Sequence, residues 1–399
     1  MASHGIKDRI AIIGMGCTRF VEHWDKGLDD LIVTAADAAY ESAGLSKDDV
    51  DAYWFGTAQG GMSGITMARP LQLQNKPVTR VENYCATGSE ALRQACYAVA
   101  SGAYDVAMAL GAEKTKDSGF QGLNAAPPPN DGTGRTLTAA AMFSMVSPAY
   151  GHKYGVSAED MRAATAHVAT KNHFNGARNS LAQFQREVTT DTVCGSPTIA
   201  GDLGVFDCAG VADGASAVII CRAEDAHKYC DDPLYVKALS FVAGNGSGLT
   251  DPDYDYTTFP EIAECAVDAY AQAGITDPSA SIAMAEVHDC FTITEVVLME
   301  DLQFAERGTA WRQMLDGRFD LDGDMPVNSD GGLKSFGHPV GASGLRMLYE
   351  AWLQLRGEAP EERRIGTITD ERNMALTHNL GGYPGEMVSF IAIVGNQLG

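Results

Sequence analysis

Apolar residues gather along the chain in short runs of strand length: IAIIG (10–14), DGASAVIIC (213–221), YVKALSFVAG (235–244) and PGEMVSFIAI (384–393). Between them lie segments with helical spacing. ADAAYESAGLS (36–46) and AVDAYAQAGIT (266–276) each read as an amphipathic helix closed by a C-terminal glycine. The two helices also correspond residue for residue, Ala36, Tyr40, Ala43 and Gly44 matching Ala266, Tyr270, Ala273 and Gly274. Each follows an apolar strand at a comparable distance. A second pair, CATGSEALR (85–93) and HPVGASGLR (338–346), shares Gly88 with Gly341 and a closing Leu-Arg. A third, weaker match pairs the strands at 213–221 and 384–393. One match between Ala-rich helices can arise by chance, but three in the same order point to an ancient duplication.

Each half then reads strand, helix, strand, turn, helix, strand, strand. Two such α/β halves predict a five-layer αβαβα sandwich. The expected units are an N-terminal half from residues 1–115 and 200–230, an inserted loop domain at 116–199, and a C-terminal half at 231–399. The insertion has no counterpart in the second half. It holds the loop-like AAPPPNDGTG (125–134) and a polar helical stretch around Ala158–Phe174, and is expected to fold over the active face.

Length and composition fit this picture. A chain of 399 residues, 45% hydrophobic with 43 glycines, suits two or three packed α/β units rich in tight turns. The N-terminus runs straight into an apolar strand and no apolar run approaches membrane-spanning length, so a soluble, cytoplasmic protein is expected. Among nine cysteines the nearest pairs, such as Cys194 with Cys208 or Cys221 with Cys230, lack CxxC spacing, so neither a disulfide framework nor a zinc site is expected. With 29 basic against 52 acidic residues the net charge is −23, a field that repels nucleic acid and anionic membranes.

Most of the cysteines are expected to be small buried residues. Cys85 stands apart by position. Thr79–Tyr84 reads as a strand end and Ala86–Ser101 as a helix with the core stripe Ala91, Leu92, Ala95 and Val99, so Cys85 occupies a strand-to-helix turn. There the helix macrodipole and free N–H groups should favour a thiolate and lower its pKa. The duplication puts His338 at the equivalent turn of the second half. Two such turns facing each other across a pseudo-twofold would pair a nucleophile with a base. VHDCF (287–291) brings His288 and Cys290 to the C-terminal end of another strand, before a helix at Thr292–Leu302. HNLGGYPG (378–385) reads as a glycine-rich turn entering the last strand, with N–H groups able to hold an oxyanion.

In this order ENYCATGSEAL, VHDCF, GGLKSFGHPVGASG and HNLGGYPG resemble the four active-site blocks of the thiolase superfamily, over essentially the whole chain. HDCF, in place of a more usual NEAF-like block, is similar to the sterol-carrier-protein-type thiolases and their bacterial and archaeal relatives. The resemblance implies an acyltransferase that cleaves or condenses a 3-oxoacyl-CoA through an acyl-Cys85 intermediate. CoA would be the co-substrate, with no covalently bound cofactor and no metal. It implies His338 as base, His288 with His338 at the enolate, and the N–H groups of Cys85 and Gly381 on the acyl oxygen. Many thiolases carry a second catalytic cysteine in a C-terminal C-x-G-G-G turn. Here Asn379 stands in that place and cannot transfer a proton as a thiol would, which makes Cys290 the candidate acid/base.

Two other readings stay open: a thiolase-fold retro-aldolase, whose relatives generally lack the nucleophilic cysteine, and a non-catalytic lipid- or acyl-CoA-binding subunit. Tyr84, Phe120, Met142, Phe143 and Met145 are pocket-wall candidates or plain core. Linear, branched, steroid-derived and aromatic acyl groups all fit. The resemblance implies a homodimer or dimer of dimers. Relatives of this type often have a small OB-fold partner with a zinc ribbon. The anionic charge bears on that point, because Lys114, Lys116, Arg135, Lys153, Arg162, Lys171, Arg178 and Arg186 are scattered. Either a few of them cluster to meet CoA, or a more basic partner supplies part of the site, or the acidity only keeps the protein soluble.

Overall fold

The computed structural model describes residues 4–116 and 138–399. Phe120, Arg135 and the AAPPPNDGTG segment lie outside the described residues. The principal elements are β1 (Ile10–Cys17), α1 (Leu28–Ala43), β2 (Ala52–Gly56), β3 (Val78–Val81), α2 (Thr87–Ala100), β4 (Val106–Glu113), α3 (Ala158–Ala177), β5 (Gly214–Arg222), β6 (Leu234–Ala243), α4 (Pro260–Ala273), β7 (Ile282–Glu286), α5 (Thr292–Asp301), α6 (Gly332–Phe336), α7 (Ser343–Leu355), β8 (Met374–Tyr383) and β9 (Glu386–Gly395). The duplication is visible in their order. The helix-closing glycines Gly44 and Gly274 both adopt left-handed φ, +63° and +77°, where only glycine sits without strain.

The strands run β3-β2-β4-β5-β1-β6-β9-β8-β7 in one hydrogen-bonded sheet. Its two halves are joined by a pairing of only two residue pairs, Ala11 with Tyr235 and Ile12 with Leu234. The counterpart of β3 in the second half shrinks to a single bridge between Ala285 and Val327. Alternation along β1 explains the layers. Ile10 and Ile12 join a core with Ala91, Leu92, Ala95 and Val99 of α2 and Leu345, Leu348 and Trp352 of α7. Ala11 and Ile13 face the other way, against Leu31, Ile32 and Ala35 of α1. Ile391 and Ile393 of β9 pack on Ile262 and Ala266 of α4 and Val296 of α5. Both sheet faces are therefore covered, with α2 and α7 forming the shared middle layer of an αβαβα sandwich.

One expectation needs correction. HNLGGYPG is not a turn: His378–Tyr383 belong to β8, which pairs with β9 from Met374–Gly395 to Tyr383–Glu386, and only Pro384-Gly385 turns the chain. The polar residues toward the end of α3, Lys171, Asn172, His173 and Asn175, are buried, and Lys171 pairs with Glu295 at 2.9 Å. Asn172 Nδ2 donates to Asp289 and Glu295 at 2.8 and 2.9 Å. The polarity of α3 thus serves to fasten the insertion onto α5, since a buried polar group must find partners. Among the described residues no helix is long and apolar enough to cross a membrane.

Candidate active site

β3 stops at Val81, three residues short of the expected end, because Thr87 offers the backbone another arrangement. Its hydroxyl accepts from Asn83 N–H at 2.9 Å and donates to the Tyr84 carbonyl at 2.5 Å. The resulting turn holds Tyr84 at φ +49°, a conformation costing on the order of 1 kcal/mol or more for such a side chain. Cys85 follows directly, half-buried at the mouth of α2. Gly381 of β8 lies against this turn: a Cβ there would stand 2.6 Å from Tyr84 Cβ and 3.0 Å from the Asn83 carbonyl. The equivalent turns of the two halves do meet. A Cβ on Gly88 would fall 2.6 Å from the Gly341 carbonyl oxygen, so the matched glycines are where the backbones touch.

His288 follows β7 and His338 lies between α6 and α7, both buried. The Cys85 sulfur and one nitrogen of each imidazole lie within 4.8 Å of one another. The two rings stand nearly perpendicular, with centroids 5.2 Å apart. Such a trio could ligate a divalent cation; it is equally a thiol with two imidazoles in reach. Cys290 is buried beside this trio without joining it, its Sγ 3.8 Å from Thr294 Oγ1.

The expected thiolate is not what the surroundings favour. Burial pushes the Cys85 thiol up to about 12, and the nearby carboxylates of Glu113 and Glu82 add to it. The helix terminus is outweighed. Burial also lowers His338 to about 3, with the Arg346 cation assisting. His288 falls well below its usual value through burial and the neighbouring histidines. The surroundings therefore favour a neutral thiol beside a neutral imidazole.

The hydrogen bonds give the two imidazoles opposite roles. Ser343 Oγ donates to the Pro339 carbonyl at 3.0 Å and so accepts from His338 Nδ1–H at 2.7 Å. That leaves His338 Nε2, which has no partner among the described residues, as a lone pair. Asn379 Oδ1 accepts from Ser89 at 2.6 Å, which turns its amide N–H toward His288 Nδ1 at 3.4 Å. His288 must then carry its proton on Nε2. One imidazole thus presents a lone pair and the other an N–H.

Carboxylates hold these loops in place. Glu113 accepts from Thr57, Ala58, Gln59 and the Gly341 N–H at 2.9–3.1 Å. Asp289 accepts from the N–H groups of Leu333 and Lys334 at 2.6 and 3.2 Å, tying the HDCF block to the helix that precedes His338. Glu113, Asp289 and Ser343 are positioning residues that motif reading passed over. The readable signal for Glu113 was a lone carboxylate closing an apolar strand. Of the pocket-wall candidates, Met142 and Phe143 are core residues packed with Phe291, while Tyr84 and Met145 are exposed.

A test follows from the protonation state. Below its pKa a thiol gains thiolate tenfold per pH unit, so the rate at which iodoacetamide alkylates Cys85 should climb about tenfold per unit from pH 6 to 9. Peptide mass spectrometry separates Cys85 from the exposed Cys194. A rate that levels off below pH 8 would reveal a thiolate–imidazolium pair instead.

Residues 10–224 match the family model for the thiolase N-terminal domain, and residues 250–394 that for the thiolase C-terminal domain-like unit. The chain belongs to the thiolase family. Among its relatives, the acetyl-CoA acetyltransferase of Methanothermobacter thermautotrophicus is 36% identical, over 94% of this chain and 97% of that protein. The benzoylsuccinyl-CoA thiolase subunit BbsB of Thauera aromatica is 29% identical, over 94% and 96%. A solved structure, the Ltp2-ChsH2(DUF35) aldolase, superimposes with a TM-score of 0.82 at 25% identity and covers 98% of both chains. This thiolase is thus an acyltransferase of the CoA-ester class. Cys85, His288 and His338, drawn from three of the sequence blocks, come together within 4.8 Å.

Proposed function

We propose that the enzyme cleaves a 3-oxoacyl-CoA with CoA, or runs the reverse Claisen condensation, through an acyl-Cys85 thioester. The observation carrying this reading is the convergence of the Cys85 sulfur with nitrogens of His288 and His338 inside 4.8 Å, from three separate connections. In the cleavage direction His338 Nε2 takes the thiol proton as Cys85 attacks the 3-keto carbon. The carbon–carbon bond then breaks toward a CoA-ester enolate, which His288 Nε2–H stabilises by hydrogen bonding and Cys290 protonates. The N–H groups of Cys85 and Gly381 hold the acyl oxygen while free CoA attacks the thioester. Aromatic and branched acyl groups fit this scheme as well as linear ones. The aldolase neighbour supports a rival reading in which no acyl-enzyme forms. Incubation with a panel of 3-oxoacyl-CoA esters, followed by intact-mass measurement, separates the two: a retained acyl mass on Cys85 is expected, and carbon–carbon cleavage without it favours the aldolase.

The chain is further proposed to work as an oligomer with a second, basic polypeptide at its CoA site. β3 is an edge strand, and Met62, Ile65 and Tyr84 are exposed in its vicinity, which suits a homodimeric contact. The scattered cations do not gather for CoA. Lys114, Lys116, Lys153, Arg162, Lys171 and Arg178 each pair with a carboxylate, Asp213, Glu22, Asp255, Asp207, Glu295 and Glu187 in turn. The Thauera relative is itself named a subunit, and the aldolase title couples two protein names. The purified chain alone should form a homo-oligomer with CoA affinity and thiolysis at least about tenfold below those of the complex, as expected when charge-assisted contacts are missing. Full thiolysis with micromolar CoA binding by the lone chain, measured beside its mass in solution, would remove the need for a partner.

A further inference from the structure

A cleft of about 850 Å³ opens beside the active site, with walls that include Phe184, Phe206, Val211 and Ile199. Its floor, Cys208–Gly210, is bonded directly to the chemistry: Ala209 N–H donates to the Cys290 carbonyl at 2.9 Å, and His338 N–H to the Gly210 carbonyl at 2.8 Å. Several polar side chains interrupt the apolar wall, among them Arg186, Glu187 and two buried groups, Lys334 and His173. Lys334 is 3% exposed, and its Nζ donates to the Cys208 carbonyl at 2.7 Å and sits 5.7 Å from the centre of the Phe206 ring. Among the described residues no carboxylate lies within ion-pairing distance of it, while comparable buried cations such as Lys171, Arg346 and Arg363 all have one. His173, also 3% exposed, donates from Nδ1 to the Arg186 carbonyl at 3.1 Å, which leaves Nε2 a buried acceptor without a partner.

A buried ammonium with one hydrogen bond and no carboxylate in direct contact is costly to keep, by several kcal/mol in the limit of no compensation, and the more distant Asp289 and Asp207 offset this only in part. Burial lowers Lys334 only to about 8, so most of it is still charged at neutral pH. We infer that this cleft receives the acyl chain and that Lys334 selects an acyl group carrying a second, free carboxylate. The inference rests on the thiolase reading for what occupies the cleft. The carboxylate would accept from the free Lys334 donors, and His173 Nε2 would accept from a hydroxyl or ordered water beside it. The overall charge of −23 works in the opposite direction. Without a local cation an anionic acyl chain should bind worse than a neutral one, so a preference for it would have to come from the cations lining this cleft, Lys334 and Arg186, and Lys334→Met tells the two apart.

Binding separates this inference from the reaction. Dissociation constants would be measured for succinyl-, glutaryl-, adipoyl- and suberoyl-CoA against butyryl-, pentanoyl-, hexanoyl- and octanoyl-CoA, using the intact protein with any partner it needs. At least one carboxylated ester should bind roughly tenfold or more tightly than its neutral counterpart, the gain expected of a charge-assisted hydrogen bond. Lys334→Met should erase that ratio. If every pair binds alike in the wild-type protein, the inference is wrong whether or not the variant folds. If Lys334→Met weakens both members of each pair equally, Lys334 reads the CoA portion and the inference is likewise wrong. A thiolase reading that failed would show as no carbon–carbon cleavage of any 3-oxoacyl-CoA, an outcome that leaves these binding ratios free to stand or fall alone.

Discussion

Cys85→Ala should leave no detectable acyl-enzyme and lower thiolysis by several orders of magnitude, on the scale of about 10⁴–10⁶ known for removal of a nucleophile. The fold should survive. Cys85 is half-buried, and the turn carrying it is held by Thr87 and by the backbone contact with Gly381, neither of which uses the sulfur. Cys85→Ser should be nearly as inactive. The thiol itself is pushed to about 12 by its surroundings, and a hydroxyl in the same place is harder still to ionise. Thiolysis assays and circular dichroism on the same preparations check both statements. A tenth of wild-type activity retained by Cys85→Ala would overturn the assignment of the nucleophile.

That prediction draws on features the sequence made legible, and one it did not. The turn was legible because a strand-to-helix junction leaves a local pattern, and because the duplication set Gly88 against Gly341 before any coordinates did. The direction of the thiol's pKa was not. A helix terminus can be read from neighbouring residues, but the desolvation that outweighs it depends on how the two halves close, and Glu113 arrives from a strand 28 positions away in numbering. The sheet shows the same division. Alternating burial along β1 follows from its apolar run, whereas the join of the two halves rests on two residue pairs that leave no trace in composition. The HNLGGY segment departs from its expected turn for a related reason. Consecutive glycines suggest a turn, but here Gly381 is small so that β8 can pass under Tyr84 while remaining paired with β9. Likewise the polar residues of α3 look solvated in isolation and become fasteners only when α5 is packed against them.

Cys290→Ala should reduce turnover by roughly 10²–10⁴-fold, the range of a lost general acid–base group. Asn379 was expected from its chemistry alone to matter far less, having no labile proton. The structure raises that expectation. Asn379 joins Ser89 to His288 inside a fully buried site, and removing its amide leaves two buried polar groups without their partner, at about 1–3 kcal/mol. Asn379→Ala should therefore lose about one to two orders of magnitude by letting His288 turn or change tautomer. The partial reactions distinguish the two variants. With Cys290 serving the enolate, as proposed, Cys290→Ala should still acylate Cys85 yet exchange the α-protons of acetyl-CoA with deuterated water far more slowly than wild type. Asn379→Ala acts through His288 and should slow exchange in proportion to turnover. Asn379→Asp, which can keep an acceptor for Ser89 but not a neutral amide donor for His288, should rescue neither. If Cys290→Ala exchanges protons at the wild-type rate, the HDCF cysteine is not the proton carrier. Equal, mild losses in Cys290→Ala and Asn379→Ala would remove both assignments and leave enolate protonation to water or to His288 itself.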